Sequence, residues 1–266
     1  MTYPSKLKRF IDSYNIILFT LTILFLYIPI LILIIYSFND AKIIAGWKGF
    51  TFKYYRLLWE NQNLKSAFWN SMVVAAISTV VSTGLGLLTA LGLDNKYFKA
   101  KNFFQSIIFL PLVMPDILMG VSIAMLFSFL RFPMGKWSVI IAHITFCVSY
   151  TIIVIQSRLK GFDNSLQEAA MDLGANKAQF FWKVKFPIIL PGILAAGLLA
   201  FTLSLDDFII TFFSTGRGFN TLPVYIEGAI RRGSVTTINA LSSIMIMITL
   251  FLTFISKPIR KMIILS

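Results

Sequence analysis

The sequence predicts an all-α integral membrane protein of six transmembrane helices in a single domain. Three observations carry this. Hydrophobic residues make up 57% of the 266-residue chain and charged residues 13%, about half the usual share of a soluble domain. Six apolar stretches between charged residues are each long enough to cross a bilayer, which takes about 20 residues. The polar segments between them are too short to build a soluble domain.

The first stretch, 14–36, follows Lys6, Lys8 and Arg9. The uncharged run from Ser13 to Asn39 is too long for the apolar part of a signal peptide, and no small-residue cleavage site follows it, so a retained helix is expected. The second and third stretches, 67–93 and 103–130, flank a short basic turn, Asp94 to Lys101, read as solvated. The fourth, 137–157, holds the chain's single cysteine, Cys147, which excludes an internal disulfide, and its single histidine, His143. A lone histidine on such a helix is expected to be a hydrogen-bonded packing residue. The fifth and sixth stretches are 190–213 and 238–256.

Between them, the segment 37–66 carries Trp47, Tyr54 and Tyr55, expected as interfacial anchors, with Trp47 and Tyr54 also candidates for contact with a delivery protein or substrate. In 214–237, Leu222, Val224, Ile226 and Ile230 with Arg231 and Arg232 predict a short amphipathic helix.

The net charge of +13 is explained by basic residues flanking membrane helices, not by nucleic acid. With both termini placed in the cytoplasm, more than half of the Lys and Arg fall on the inner side. No G-x4-G-K-(S/T) phosphate loop, metal-ligand cluster or catalytic triad is present, so the chain is not expected to be an enzyme or to bind a cofactor. The lack of an internal repeat argues against an inverted-repeat carrier.

Acids inside the apolar stretches are the candidate substrate site. A carboxylate at the bilayer centre costs about 3 kcal/mol on the insertion scale and usually faces a cavity or a partner. Asp116 lies in the third stretch and Asp206 and Asp207 in the fifth. If both helices run straight from the inner side, Asp116 and Asp206 stand at one height, about 22 Å up. Adjacent residues point about 100° apart, so Asp206 and Asp207 do not both face a pathway. Ser204, one turn before Asp207, is placed to share its face.

The segment 158–187 contains Glu168-Ala169-Ala170, Gly174, Val184 and Pro187, which fit the pattern EAA-x3-G-x9-(I/V)-x2-P. Asn164 or Ser165 is expected to cap a helix with Glu168 in its first turn, Gly174 to allow a sharp turn, and Pro187 and Pro191 to break the path before the fifth helix.

This pattern resembles the cytoplasmic coupling loop of bacterial ABC importer permeases. Pro115-Asp116-Ile117, His143 to Cys147, Ser157 to Asp163 and Phe201 to Asp207 are similar to the polyamine (spermidine/putrescine) permeases of that family, with similarity from about Tyr27 onward. The resemblance implies a type I ABC importer permease in the bacterial inner membrane, forming half of the translocation pathway. It implies a PotB-like second permease, two PotA-like ATPase subunits that use ATP and Mg, and a PotD-like substrate-binding protein. Glu168, Ala169, Ala170, Asp172, Gly174 and Pro187 would couple to the ATPase, while Asp116, Ser204, Asp206, Asp207, Trp47 and Tyr54 would line the polyamine path. Carboxylates that neutralise ammonium groups, with aromatic faces beside them, suit a flexible polycation. Another organic cation or a metal ion, an ion-coupled secondary carrier, and a non-transporting scaffold for an ATPase are the competing readings.

Overall fold

The computed structural model describes residues 5–41, 46–94, 99–163 and 165–264. Residues 95–98, half of the expected basic turn and including Lys96, and Asn164 lie outside the described residues. The helices are α1 (Ser5–Tyr36), α2 (Lys53–Glu60), α3 (Gln62–Asp94), α4 (Lys101–Val113), α5 (Asp116–Phe129), α6 (Lys136–Lys160), α7 (Ser165–Asp172), α8 (Lys177–Phe180), α9 (Phe186–Asp206), α10 (Ile209–Ser214), α11 (Leu222–Arg231) and α12 (Val235–Ile264). They fall into two compact units, one made of Met1–Gln62 and Ile226–Ser266, the other of Asn63–Tyr225.

Among the described residues, four helical segments are long and apolar enough to cross a membrane: Asp12–Tyr36, Gln62–Asp94, Lys136–Lys160 and Lys177–Asp206. The pair α4 and α5 makes a fifth if its bend is counted within one span, and Val235–Leu250 is a shorter apolar stretch. Each of the six expected apolar stretches overlaps one of these, which is compatible with six spans, but two differ in shape.

The third does not run straight. It bends by 110° between α4 and α5. Proline explains the break: Pro115 has no N–H to donate and pushes the residue before it out of the helical region. Met114 is accordingly extended, with φ −72° and ψ 135°. Asp116 is therefore the first residue of α5 rather than a mid-helix residue. The height estimated for it on a straight helix does not hold.

The fifth stretch is shifted. Pro187 and Pro191 were expected to break the chain, yet helix continues from Lys177 to Asp206. A wide turn over Phe181–Lys185 lies just before Pro187, and Phe186 N–H reaches back five residues to Phe181 O. Such a π-type insertion relaxes the i→i−4 ladder where proline would disturb it. The helix then stops at Asp206, not at 213, because Asp207 is extended (ψ 122°).

In the second unit, α6 packs on α9 and α10 packs on α5 and α6. Lipid gives helices no hydrophobic reason to associate, so close packing of small residues supplies much of the contact. Ala142, Cys147, Ala196 and Ala200 are fully buried. Gly120 on α5 is one position where only hydrogen fits, since a Cβ there would meet the Phe213 ring of α10 at 2.9 Å. Met119, Ile123, Phe127, Phe146 and Ile210 form one core with Ala142, Cys147 and Ala200, while Ala196 packs in a second with Ile155 and Ile189.

In the first unit, α12 packs on α1 and α2. The chain after α1 folds back on itself. Asp40 N–H donates to Gly49 O (2.9 Å), Thr51 N–H donates to Phe38 O (2.7 Å), and the Asn39 side chain bonds Gly46 O and Lys48 N–H, both at 2.7 Å. Phe38 stacks on Phe50 and Tyr55. The expected short helix after residue 214 is α11.

Candidate functional site

Two regions of the second unit gather the residues singled out from the sequence. The first is a cleft of about 430 Å³. Its lining includes Asp116, Asp206 and Asp207, with Phe146, Tyr150 and Phe208 supplying aromatic surface. Among the described residues, no Lys or Arg lines it. The two breaks build this cleft. The bend before α5 delivers Asp116 at a helix start, and the stop after α9 delivers Asp206 at a helix end.

The three acids are not equivalent. Asp116 and Asp206 are exposed, and neither accepts a hydrogen bond or ion pair among the described residues. Asp207 is mostly buried, its side chain 11% exposed. Its Oδ1 accepts from Ile210 N–H (3.2 Å), and its Oδ2 accepts from Thr211 N–H (2.7 Å) and the Thr211 hydroxyl (3.0 Å). Asp207 thus caps α10, whose first N–H groups have no partners within the helix.

His143 lies behind Asp207 and is fully buried. Its Nε2 is 2.8 Å from Thr211 Oγ1 and 3.3 Å from Asp207 Oδ2, and its Nδ1 is 2.7 Å from Ser204 Oγ. One proton assignment satisfies every atom: Ser204 donates to Nδ1, Nε2–H donates to Thr211 Oγ1, and the Thr211 hydroxyl donates to Asp207. His143 is therefore the hydrogen-bonded packing residue anticipated from the sequence. Ser204, expected on the pathway face, is buried, bonded to this ring and absent from the cleft wall. Sequence reasoning missed Thr211, Tyr150 and Phe208. Thr211 lies four residues after Asp207, the spacing of a cap contact, and that was the available signal.

Trp47 and Tyr54 belong to the first unit. Trp47 is exposed and meets the edge of Tyr36 at 6.4 Å. Tyr54 is buried, with Lys53 Nζ 5.9 Å from its ring centre.

The second region is 163–185. Asp163 Oδ1 accepts from Ser165 N–H (2.9 Å) and so caps the start of α7; of the two expected caps, Ser165 is the first residue of the helix and Asn164 lies outside the described residues. That bond, with the Ser165 hydroxyl, holds the Asp163 carboxyl below its usual range. Glu168 lies in the first turn of α7 and Asp172 is its last residue, and no residue of α7 is buried. At its end Ala175 N–H donates to Ala170 O (3.0 Å) and Gly174 N–H to Met171 O (2.9 Å). This is a Schellman ending, and it needs a left-handed residue, which Gly174 supplies with φ +83°. Asn176 and Gln179 then form a reciprocal capping box at α8. Ala169 and Ala170 keep the helix narrow, and Pro187 is the second residue of α9. Farther along, Lys185 Nζ reaches Asp94 Oδ2 at 2.9 Å and lies 5.7 Å from the centre of the Phe162 ring.

A membrane-spanning helical bundle with an acidic cleft, and a separately capped exposed helix bearing the EAA pattern, define a transport permease. Residues 82–263 match the family of binding-protein-dependent transport system inner membrane components, and the chain belongs to that family. It is 38% identical over 237 residues to the spermidine/putrescine transport system permease protein PotC of Escherichia coli K12, covering 89% of this chain and 90% of that protein. It is also 38% identical over 243 residues to the putrescine transport system permease protein PotI of the same strain, covering 88% and 86%. Among solved structures, a bacterial ABC transporter that imports the acidic polysaccharide alginate has a chain with TM-score 0.69 at 18% identity, covering 98% of this chain and 99% of that one. The protein is therefore a multi-pass inner membrane permease of the kind that works with a binding protein.

Proposed function

We propose that this chain is one permease half of an ATP-driven polyamine importer, acting as a single transmembrane domain. The observation that carries the reading is the cleft: carboxylates and aromatic faces line it, and among the described residues no Lys or Arg does. Asp116 and Asp206, without internal partners, attract the ammonium groups. Phe146, Tyr150 and Phe208 add aromatic surface against the methylene chain and cation–π attraction. The likeness to PotC and PotI supports the same substrate class.

The partners are a PotB-like permease, two PotA-like ATPase subunits that bind ATP and Mg, and a PotD-like binding protein that delivers the polyamine. Both termini are cytoplasmic. The EAA-bearing helix α7 docks on the ATPase, and its unburied surface supports this: Leu173 at its end is 89% exposed, an apolar side chain awaiting a partner. Closure of the ATPase dimer on ATP moves α7, and α8 and α9 carry that motion to Asp206 along one unbroken helix.

The test is reconstitution of the whole complex with its binding protein in liposomes, measuring ATP-dependent uptake of radiolabelled putrescine and spermidine against thiamine and arginine. Saturable polyamine uptake is expected. Uptake of another cation with no polyamine uptake would overturn the assignment.

A further inference from the structure

The buried group His143, Ser204, Thr211 and Asp207 has no part in the coupling route and only Asp207 touches the cleft. Its placement is nonetheless informative. Asp206 is the last residue of α9, and its peptide neighbour is the extended Asp207. Ser204, two residues before it, bonds this imidazole directly, and Asp207, one residue after it, is tied to the other ring nitrogen through the Thr211 hydroxyl and stands 3.3 Å from it. The ring stands on α6, a helix whose mid-part is buried and packs along α9. A chain end that stops a helix in mid-span would otherwise be free to swing, because no i→i−4 bond crosses it.

We infer that His143 is a positioning residue for the substrate path: through Ser204 on one side, and Thr211 with Asp207 on the other, it fixes the break between α9 and α10 and so sets where the Asp206 carboxylate stands in the cleft. Asp207 then acts as a helix cap inside this brace and not as a second ammonium ligand. This rests on the polyamine reading only for the choice of transported probe.

Thr211→Val is the sharpest probe, because it keeps the shape and removes the hydroxyl that joins His143 to Asp207. Thr211→Ser restores that hydroxyl. In the reconstituted complex, Thr211→Val is expected to raise the KM for spermidine about tenfold with Vmax changed less than about twofold, the size of one lost hydrogen bond to a charged group. Thr211→Ser recovers the original KM. In an Asp206→Asn background, Thr211→Val adds nothing further, since its effect runs through Asp206. Equal behaviour of Val and Ser, or the same loss in both backgrounds, would overturn the inference.

A second measurement does not need polyamine transport. Asp206→Cys is placed in a Cys147→Ala background and labelled with a charged thiol reagent. Thr211→Val is expected to change its labelling rate severalfold and leave that of a Leu173→Cys control unchanged. An unchanged rate at position 206 contradicts the brace. If the wild-type complex carries no polyamine at all, the substrate reading fails while the labelling still decides this one.

Discussion

The wall of the cleft and the segment 163–185 are both rich in polar side chains, yet they are ordered in opposite ways. In the segment, each defining bond spans five residues or fewer: Asp163 to Ser165, Ala170 to Ala175, Asn176 to Gln179. Behind the cleft wall, Asp207 makes its own local bonds to Ile210 and Thr211, but His143 joins Ser204 and Thr211 from more than sixty residues away. Local caps make a small rigid body whose outer surface stays free for a partner. Distant bonds in a buried site fix one helix break relative to another. The first arrangement suits docking, and the second suits holding a charge at a set place.

Changes that separate the two regions test this contrast. Gly174→Asp has the largest expected effect. The left-handed turn at φ +83° is strained for any residue with a Cβ, and the added carboxylate sits at the negative end of α7. Uptake should be abolished and ATPase lost on co-purification, while purified permease keeps its thermal unfolding midpoint. Glu168→Lys should act the same way by reversing charge in the first turn.

At the cleft wall the expected signature is the reverse. Asp207→Ala leaves the Ile210 and Thr211 amides without an acceptor, and should cost about 2 kcal/mol of stability in a thermal or denaturant titration, with ATPase still bound. Asp207→Asn should also destabilise, although an amide is cheaper to bury than a carboxylate, because it has one acceptor oxygen where the site uses two.

The smaller effects lie at the junction of the segment with the helices. Asp94→Asn removes the partner of Lys185 in a partly exposed pair, worth about 0.5 kcal/mol or less. It should reduce transport slightly, and exchanging the two residues should recover it. Smallest is the Asp163 cap. A carboxyl held below its usual range stabilises at pH above its unfolded value and is lost as pH falls through the folded one, so α7 should keep its cap at neutral pH and fray only below about pH 4. Amide exchange at Ser165 against pH checks the sign.

The same contrast explains what could be read from the sequence. Gly174 and Glu168 follow local rules, and the places of Glu168 in the first turn of α7 and of Gly174 at the turn that ends it were legible in the sequence. The cleft was legible only in its acids. Pro115 carried the signal for the break before α5, but the extent of the bend depends on what α5 packs against, including Phe213 at Gly120. The end of α9 had no proline to mark it. It depends on a histidine from another helix, and no window of the sequence contains both. Pro187 and Pro191 misled in the other direction, because the wide turn over Phe181–Lys185 accommodates what the i→i−4 rule forbids.

The most direct test of the account is uptake of radiolabelled spermidine by the reconstituted complex carrying Asp116→Asn together with Asp206→Asn. The two cleft carboxylates with no partner among the described residues, Asp116 and Asp206, are predicted to supply the attraction for ammonium groups. Saturable uptake should therefore fall by at least about a hundredfold in Vmax/KM, as two lost charge-assisted contacts imply. The complex should stay assembled and keep its basal ATP hydrolysis. Wild-type uptake by this double variant would contradict the assignment of the cleft as the polyamine path.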